Sequence, residues 1–475
     1  MKRQDERTPT PFRAAAVRNG RSGGGWTAAL AALALLCLPV SPHAAPAAGK
    51  ARAGSILGTP EQIARDRLAV RLLASAPVQR ELRNLEAFYG RDPIADMPDA
   101  RGSLKAAAAA AAMANAVGAV NQDPDRPAAY WSITAEHRWG RLRVPLAGAE
   151  RDNPDNVYRS IPIDGAARYE IRGQVTARPP AQETFVLHDV ASGVSRDSKV
   201  LNHEEELGSV SLDQLALAPD GSFTVTVDNS PANGRLNHLR SRPGDHDGYI
   251  LIRDTLADWS SENPVRLSVR RVAGPPIRPA RSEARMARLA AERLSTIGPY
   301  WIAWEHKVFF GAPANTLAGD RPRVSGWGSI NGGHFRIADD EALVVRVDRR
   351  GAAYLGFQLV DLWGQASPYI DRSGSRTQFQ TTPNADGTYT YVVSVRDPGV
   401  HNWLDPNGLH AGIFGIRWQR LPSGVSTADA VREIRVVKLG DLKAALPAET
   451  VWVTPAQRRA ELKARAADYN RRIVN

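Results

Sequence analysis

The chain is predicted to be mainly β with helical additions. Two tandem antiparallel β-sandwich or jelly-roll domains follow a helical N-terminal region, and a C-terminal helix closes the chain. Three observations predict this. Short runs of strand-forming residues, separated by Gly, Pro, Asn and Asp, fill 130–278 and again 324–446. A series of Asp-Gly turn, strand, Asn, glycine-bearing loop, strand and Arg occurs twice, first at Gly221, Asn237 and Arg253 and then at Gly387, Asn402 and Arg417. Finally, strands and helices do not alternate in the way a nucleotide-binding α/β sheet requires.

Taken in order, residues 1–47 read as an export signal. Lys2, Arg3, Arg7, Arg13, Arg18 and Arg21 form a basic front, Ala28–Val40 is apolar, and Ala45-Pro46-Ala47 is a small-residue cleavage pattern. The apolar run is too short to cross a bilayer as a helix, and no second run of spanning length is expected after it. The single cysteine, Cys37, lies in this signal, so the mature chain has no disulfide, thiol nucleophile or cysteine-based zinc site.

Residues 48–129 are read as helical. Thr59-Pro60-Glu61-Gln62 is a capping box, Leu82, Leu85, Phe88 and Tyr89 mark a second helix, and Leu104–Val120 is alanine-rich. The first β domain spans 130–278. A helical connector, 279–323, begins near Ser282, breaks at Gly298-Pro299 and resumes with Trp301 and Trp304; it is expected to pack between the β domains. The second β domain spans 324–446. In 447–475 the box Thr454-Pro455-Ala456-Gln457 starts a helix with Leu462, Ala466, Tyr469 and Ile473 on one face. The repeat is also traced upstream, where Val157-Tyr158-Arg159 resembles His334-Phe335-Arg336.

The formal charge is +11, and residues 1–47 carry six of the positive and two of the negative charges, which leaves about +7 on the mature chain. That surplus favours an anionic envelope ligand or a carbohydrate as partner. It forms no dense Lys/Arg block, and nucleic acid is not expected as a partner.

Asp152–Tyr158, Gly248–Arg253, Asp258-Trp259 and the stretch Asp397–Gln419 carry a resemblance to a family. The chain resembles an exported bacterial domain-of-unknown-function family, the one numbered twelve-fourteen, over roughly Trp131 to Leu446. The resemblance implies β-sandwich or jelly-roll modules and a periplasmic or extracellular location. It implies no activity and no catalytic residue.

Outside the export signal, signatures of a serine-hydrolase elbow, a zinc-protease helix and a phosphate-binding loop are absent from the sequence. Chemistry is therefore sought in the paired loops. Asn237, Asn402, Arg253 and Arg417 occur in both copies, which points to the shared fold; Asn402, Arg253 and Arg417 are also carried as ligand-binding candidates. The second loop gathers His401, Trp403, Asp405, Asn407 and His410, where the first copy has Leu236, His238 and Arg240. His401 and Asp405 are the candidate acid–base pair, with Glu305 or Asp371 as further carboxylates. An exposed Trp403 with Asn402, Asn407, His410 and His238 would hold a sugar ring. His238, Asp245, His246 and Asp247 lack a diagnostic metal-ligand spacing, and neither metal nor cofactor is expected. The sequence thus suggests an exported envelope protein that binds a carbohydrate or other envelope ligand through its loops. A glycan hydrolase or lyase using His401 and Asp405, and a structural envelope protein without a small ligand, are the alternatives.

Overall fold

A computed structural model describes residues 55–148, 151–189, 205–244 and 247–473. The export signal, Asp245 and His246 lie outside the described residues.

Helices α1 (Pro60–Leu73), α2 (Ala76–Tyr89) and α3 (Pro98–Asn121) form the N-terminal region. Thr59 Oγ1 caps α1 by accepting the Gln62 N–H at 3.1 Å. The Gln62 side chain does not complete the box, because both ends of its amide pair with the Trp131 backbone, at 3.0 and 3.1 Å. By length and composition α3 is apolar enough to cross a membrane, contrary to the expectation from sequence; 61% of its apolar window is buried inside the fold.

The connector helix α4 runs unbroken from Glu283 to Glu305, with Pro299 inside it. Packing overrides the missing hydrogen bond: Gly298 sits so close to α2 that a Cβ there would lie 2.7 Å from Leu85. Most of α4 therefore joins α2 and α3 in one helical core rather than separating the β units. Only its end, continued by a π-helical turn at His306–Phe310, reaches the second sandwich, where Phe309 packs on Val360 and Ile413.

The first β unit comprises β1 (Tyr130–Ile133), β2 (His137–Trp139), β3 (Leu142–Val144), β4 (Asn156–Asp164), β5 (Arg168–Gln174), β6 (Gln182–His188), β7 (Glu206–Ser211), β8 (Ser222–Asp228), β9 (His238–Arg240), β10 (Asp247–Thr255) and β11 (Arg266–Ala273). The second comprises β12 (Arg321–Pro322), β13 (Gly328–Arg336), β14 (Glu341–Val347), β15 (Tyr354–Val360), β16 (Ser375–Thr377), β17 (Tyr389–Val393), β18 (Trp403–Leu404), β19 (Ala411–Gln419) and β20 (Val431–Lys438). The first unit pairs a sheet of order β1-β4-β10-β6-β7 with one of order β11-β5-β8-β9. The second repeats both orders, as β12-β13-β19-β15-β16 and β20-β14-β17-β18. Each unit is thus a two-sheet sandwich, antiparallel except for one parallel pair, β8 with β9 and β17 with β18. Alternating side chains fill each core: Ile161, Phe185, Ile250 and Ile252 in the first, Phe357, Phe414, Ile416 and Trp418 in the second.

The correspondence holds in register. Arg253 stands opposite Tyr158 and Thr184, the third residues of β4 and β6. Arg417 stands opposite Ile330 and Gly356, the third residues of β13 and β15. Asn237 bonds both backbone groups of Ala216, at 2.8 and 2.9 Å, and Asn402 does the same to Thr382, at 2.9 and 2.8 Å. Gly221 and Gly387 both turn at positive φ, 79° and 81°. The upstream match is out of register: Val157–Arg159 opens β4, whereas His334–Arg336 ends β13.

After the short helix α5 (Leu442–Ala445), helix α6 (Pro455–Asn470) starts with the expected capping box at Thr454. Its buried stripe is not the expected apolar face alone. Arg458, Arg465 and, just beyond the helix, Arg472 are buried with Tyr469. Arg458 pairs with Asp397 at 2.9 Å, Arg465 donates to Tyr369 O at 2.6 Å, and Arg472 donates to Pro154 O at 3.0 Å. Arg465 and Arg472 also lie over the Trp259 ring, at 4.2 and 4.8 Å, so this arginine stripe ties the two sandwiches together.

Candidate functional site

The loop from His401 to His410 is built into the scaffold. Trp403 forms β18, is 6% exposed, and donates its Nε1–H to Ser394 O at 3.0 Å while Arg458 covers its ring at 5.3 Å. It offers no free face to a sugar. His401 contacts Thr382 Oγ1 at 3.2 Å and Asn402 Oδ1 at 3.1 Å, and burial pushes its pKa down. Asp405, 4% exposed, accepts from Arg372 at 2.9 Å and from the Asn407 N–H at 2.8 Å. The two members of the expected acid–base pair therefore serve different partners. Asn407 makes a left-handed turn at φ 59°. His410 is exposed and docks on α3, its N–H donating to Asp99 at 2.7 Å. In the first loop the buried His238 ring contacts Thr226 Oγ1 at 2.9 Å and Ser230 O at 3.0 Å. Asp371 is exposed. Among the described residues no group of three or more His, Cys, Asp or Glu is arranged to hold a metal ion.

Arg253 and Arg417, in contrast, meet where the two sandwiches join. Inward residues of β10 and β19 alternate into their own cores, so these arginines emerge on the outer faces of the two five-stranded sheets. The faces adjoin, with Gln182 Nε2 donating to Trp327 O at 2.9 Å and Thr255 bonding Gln419. Three further arginines come from outside these two strands. Arg151 lies before β4 at φ 58°, a left-handed conformation that costs about 1 kcal/mol for a side chain of this kind. Its carbonyl accepts from Gln358 at 3.1 Å and from Arg417 Nη2 at 2.9 Å, which fixes it to the second sandwich. Arg321 belongs to β12, and Arg323 follows in the turn to β13.

Aromatic rings hold these like charges. Arg151 lies 4.2 Å from the Trp304 ring centroid and 4.6 Å from that of Phe309, and Arg321 is 5.3 Å from Phe309. Arg253 and Arg323 lie 4.8 and 5.0 Å from the Trp327 centroid. Each such contact contributes roughly 0.5–2 kcal/mol, depending on desolvation. The rings are thus occupied by guanidinium groups.

Among the described residues one carboxylate enters the cluster. Glu305, 1% exposed at the end of α4, pairs with Arg151 Nε at 3.0 Å. Among the described residues Arg253, Arg321, Arg323 and Arg417 have no carboxylate at ion-pair distance. Arg253 Nη1, Trp327 Nε1 and both Glu305 oxygens are buried without a well-formed hydrogen bond. Burial, with repulsion from Arg417 and Arg321, holds Arg151 down to about 10, against the pull of Glu305. Burial and the charges of Arg253, Arg417 and Arg151 hold Arg323 down to about 9. Burial pushes Glu305 up to about 7, opposed by Arg151 and assisted by Asp361. Asp361, itself pushed up to about 6 by burial, accepts from the Trp363 and Gln365 N–H groups at 2.9 Å and is committed to its turn. The cluster remains strongly cationic at neutral pH, and a π-helical turn directly follows its one carboxylate.

Two members of this site, Arg253 and Arg417, were visible in the sequence as a repeated pair, and Glu305 stood among the carboxylates considered. Arg151, Arg321, Arg323 and Trp327 carried no local signal. No protein-family profile and no curated protein matches the chain. Among solved structures, an uncharacterized protein from Burkholderia cenocepacia is similar at TM-score 0.63 and 24% identity, over 80% of this chain and all of its own length, and it shares the fold. A Vibrio parahaemolyticus protein (TM-score 0.35, 10% identity, 61% of this chain and 90% of its own) and a tandem CBM22 domain from Paenibacillus barcinonensis (TM-score 0.13, 8% identity, 59% and 83%) carry no argument about this chain.

Proposed function

We propose that this is an exported envelope protein that binds an acidic carbohydrate, or another ligand bearing carboxylate or sulfate groups, in the arginine cluster between its sandwiches. One observation carries the reading: four guanidinium groups converge at a partly buried junction without a carboxylate partner among the described residues. Gathering like charges there is unfavourable unless an anion compensates them, and guanidinium groups match planar oxyanions well. Because the rings of Trp304, Trp327 and Phe309 already contact arginines, recognition rests on charge rather than on stacking against a neutral sugar. The equal topologies and registers support the further proposal that the two sandwiches are copies of one unit. The sequence motifs and signal-like N-terminus support membership of the family numbered twelve-fourteen and a periplasmic or extracellular location.

The test is a calorimetric titration of mature protein with trigalacturonic acid and with a neutral trisaccharide of the same length. The acidic ligand is expected to bind, more weakly as salt rises, and the neutral one not to. Equal binding of both, or binding of neither, contradicts the proposal.

A further inference from the structure

The carboxylate inside the cluster sets a condition on what binds there. Among the described residues Glu305 is the one acidic group paired with any of the five arginines, and it is more deeply buried than they are. Arg151, its partner, is also the arginine that joins both halves of the site, since its carbonyl holds Arg417. An anion entering the cluster therefore meets Arg151 already engaged.

We propose that Glu305 is a built-in competitor of the ligand: an anion in the cluster replaces Glu305 as the counter-charge of Arg151, and Glu305 takes up a proton from solvent as the anion binds. This rests on the anion-binding reading above. The proton balance is simple. Above pH 7, before binding, Glu305 is ionised and its negative charge is stabilised by Arg151 and, more distantly, Arg321. After binding, that positive field is shared with the ligand, while the burial that disfavours the carboxylate persists. A carboxyl group that loses its counter-charge in a dry site protonates.

The groups facing Glu305 from each neighbouring element act in this direction. Arg151 precedes β4, and Arg321 comes from β12; both favour the ionised form and both are claimed by the ligand. Asp361, in the turn after β15, favours the protonated form. Gly364 in the same turn brings backbone against the carboxylate, where a Cβ would lie 3.3 Å from Oε1. Next to Glu305 on its own chain, His306 is turned away and paired with Asp92 on the helical side at 2.9 Å. No other carboxylate among the described residues forms an ion pair with the cluster and could take this role.

The sign follows from linkage. The pKa of Glu305 is about 7 in the free protein and rises further on binding. Below that pH the group is protonated in both states and affinity is independent of pH. Above it, binding requires proton uptake and affinity falls, by up to about tenfold per pH unit for one proton. The site would thus hold its anion in acidic surroundings and release it in alkaline ones.

Trigalacturonic acid and inorganic sulfate do not titrate between pH 5.5 and 8.5 and serve as probes. Their binding is measured calorimetrically across that range at constant salt, on wild-type protein and on Glu305→Gln, and for the wild type at pH 7.5 in two buffers of different ionisation enthalpy. The expected results are a fall in wild-type affinity above pH 7, a profile for Glu305→Gln that stays flat up to pH 8, and net proton uptake seen as a buffer-dependent heat. Binding of the wild type without proton uptake overturns the proposal, whether or not the variant folds; so does a Glu305→Gln profile that falls as steeply as the wild type. If neither probe binds at any pH, the anion-binding reading itself fails, and this inference with it.

Discussion

The interiors of the two sandwiches differ where their outer faces agree. In the first, Arg159 sits inside the core with Asp254 at 2.6 Å and Glu183 at 3.4 Å, all three nearly inaccessible. The same register positions in the second hold Asn331, Trp418 and Leu355. One residue along, on the opposite face, both have arginine, Arg253 and Arg417. The topology accepts either a buried ion group or an indole and an aliphatic side chain in its core, so the core charges are not required by the fold. The arginines kept on the outer faces have no comparable partners inside either sandwich, which is why they, rather than the buried triad, are assigned to binding.

The largest expected effect breaks the triad. Asp254→Ala leaves Arg159 with less compensation and should destabilise the protein by about 3–5 kcal/mol in urea unfolding. Replacing Arg159, Glu183 and Asp254 together by Met, Leu and Leu should restore most of that loss, as the uncharged set Asn331, Leu355 and Trp418 in the second sandwich implies. If the triple variant is as unstable as the single one, the ion group is essential to the first sandwich and the comparison is wrong.

Next comes Glu305. Its pKa is raised from an ordinary 4.5 to about 7, so its contribution to stability is full below the unfolded value and is lost as pH rises through about 7. Wild-type stability should fall by on the order of 3 kcal/mol between pH 4.5 and 7.5 from this group, and chemical unfolding of Glu305→Gln should lack that component. Identical pH profiles would contradict the assignment. Smaller again is the paired-asparagine effect. Asn402 bonds Thr390 O at 3.0 Å in addition to Thr382, whereas Asn237 is tied to Ala216. Both alanine variants should lose about 1–3 kcal/mol, Asn402→Ala the more by about 1 kcal/mol; the reverse order would mean the two loops are not equivalent.

The sandwiches were legible in the sequence because strand alternation and turn residues are local, and their correspondence was legible because Asn and Arg recur at matching positions. The loop at His401 was misread for a physical reason. Trp403 looks exposed in a polar loop, but a parallel strand pairing and the arginine face of α6 bury it. Apolar periodicity cannot see that face, since Arg458, Arg465 and Arg472 register as polar while their stems and planar heads pack like core. Pro299 misled as well, because Gly298 lets α2 pack closely on α4, which continues through the proline. The arginine cluster was half legible: Arg253 and Arg417 recur at matching positions, but Arg151, Arg321 and Arg323 are gathered by tertiary structure from segments without a pattern.

The most direct measurement is the affinity for trigalacturonic acid of Arg253→Gln and Arg417→Gln, with the exposed strand arginine Arg266→Gln as control. Losing a charge-assisted contact of about 1.5–3 kcal/mol should weaken binding roughly 10- to 100-fold in each of the first two, with little change in melting temperature and none in the control. Wild-type affinity in both Arg253→Gln and Arg417→Gln would contradict a ligand site shared by the two sandwiches.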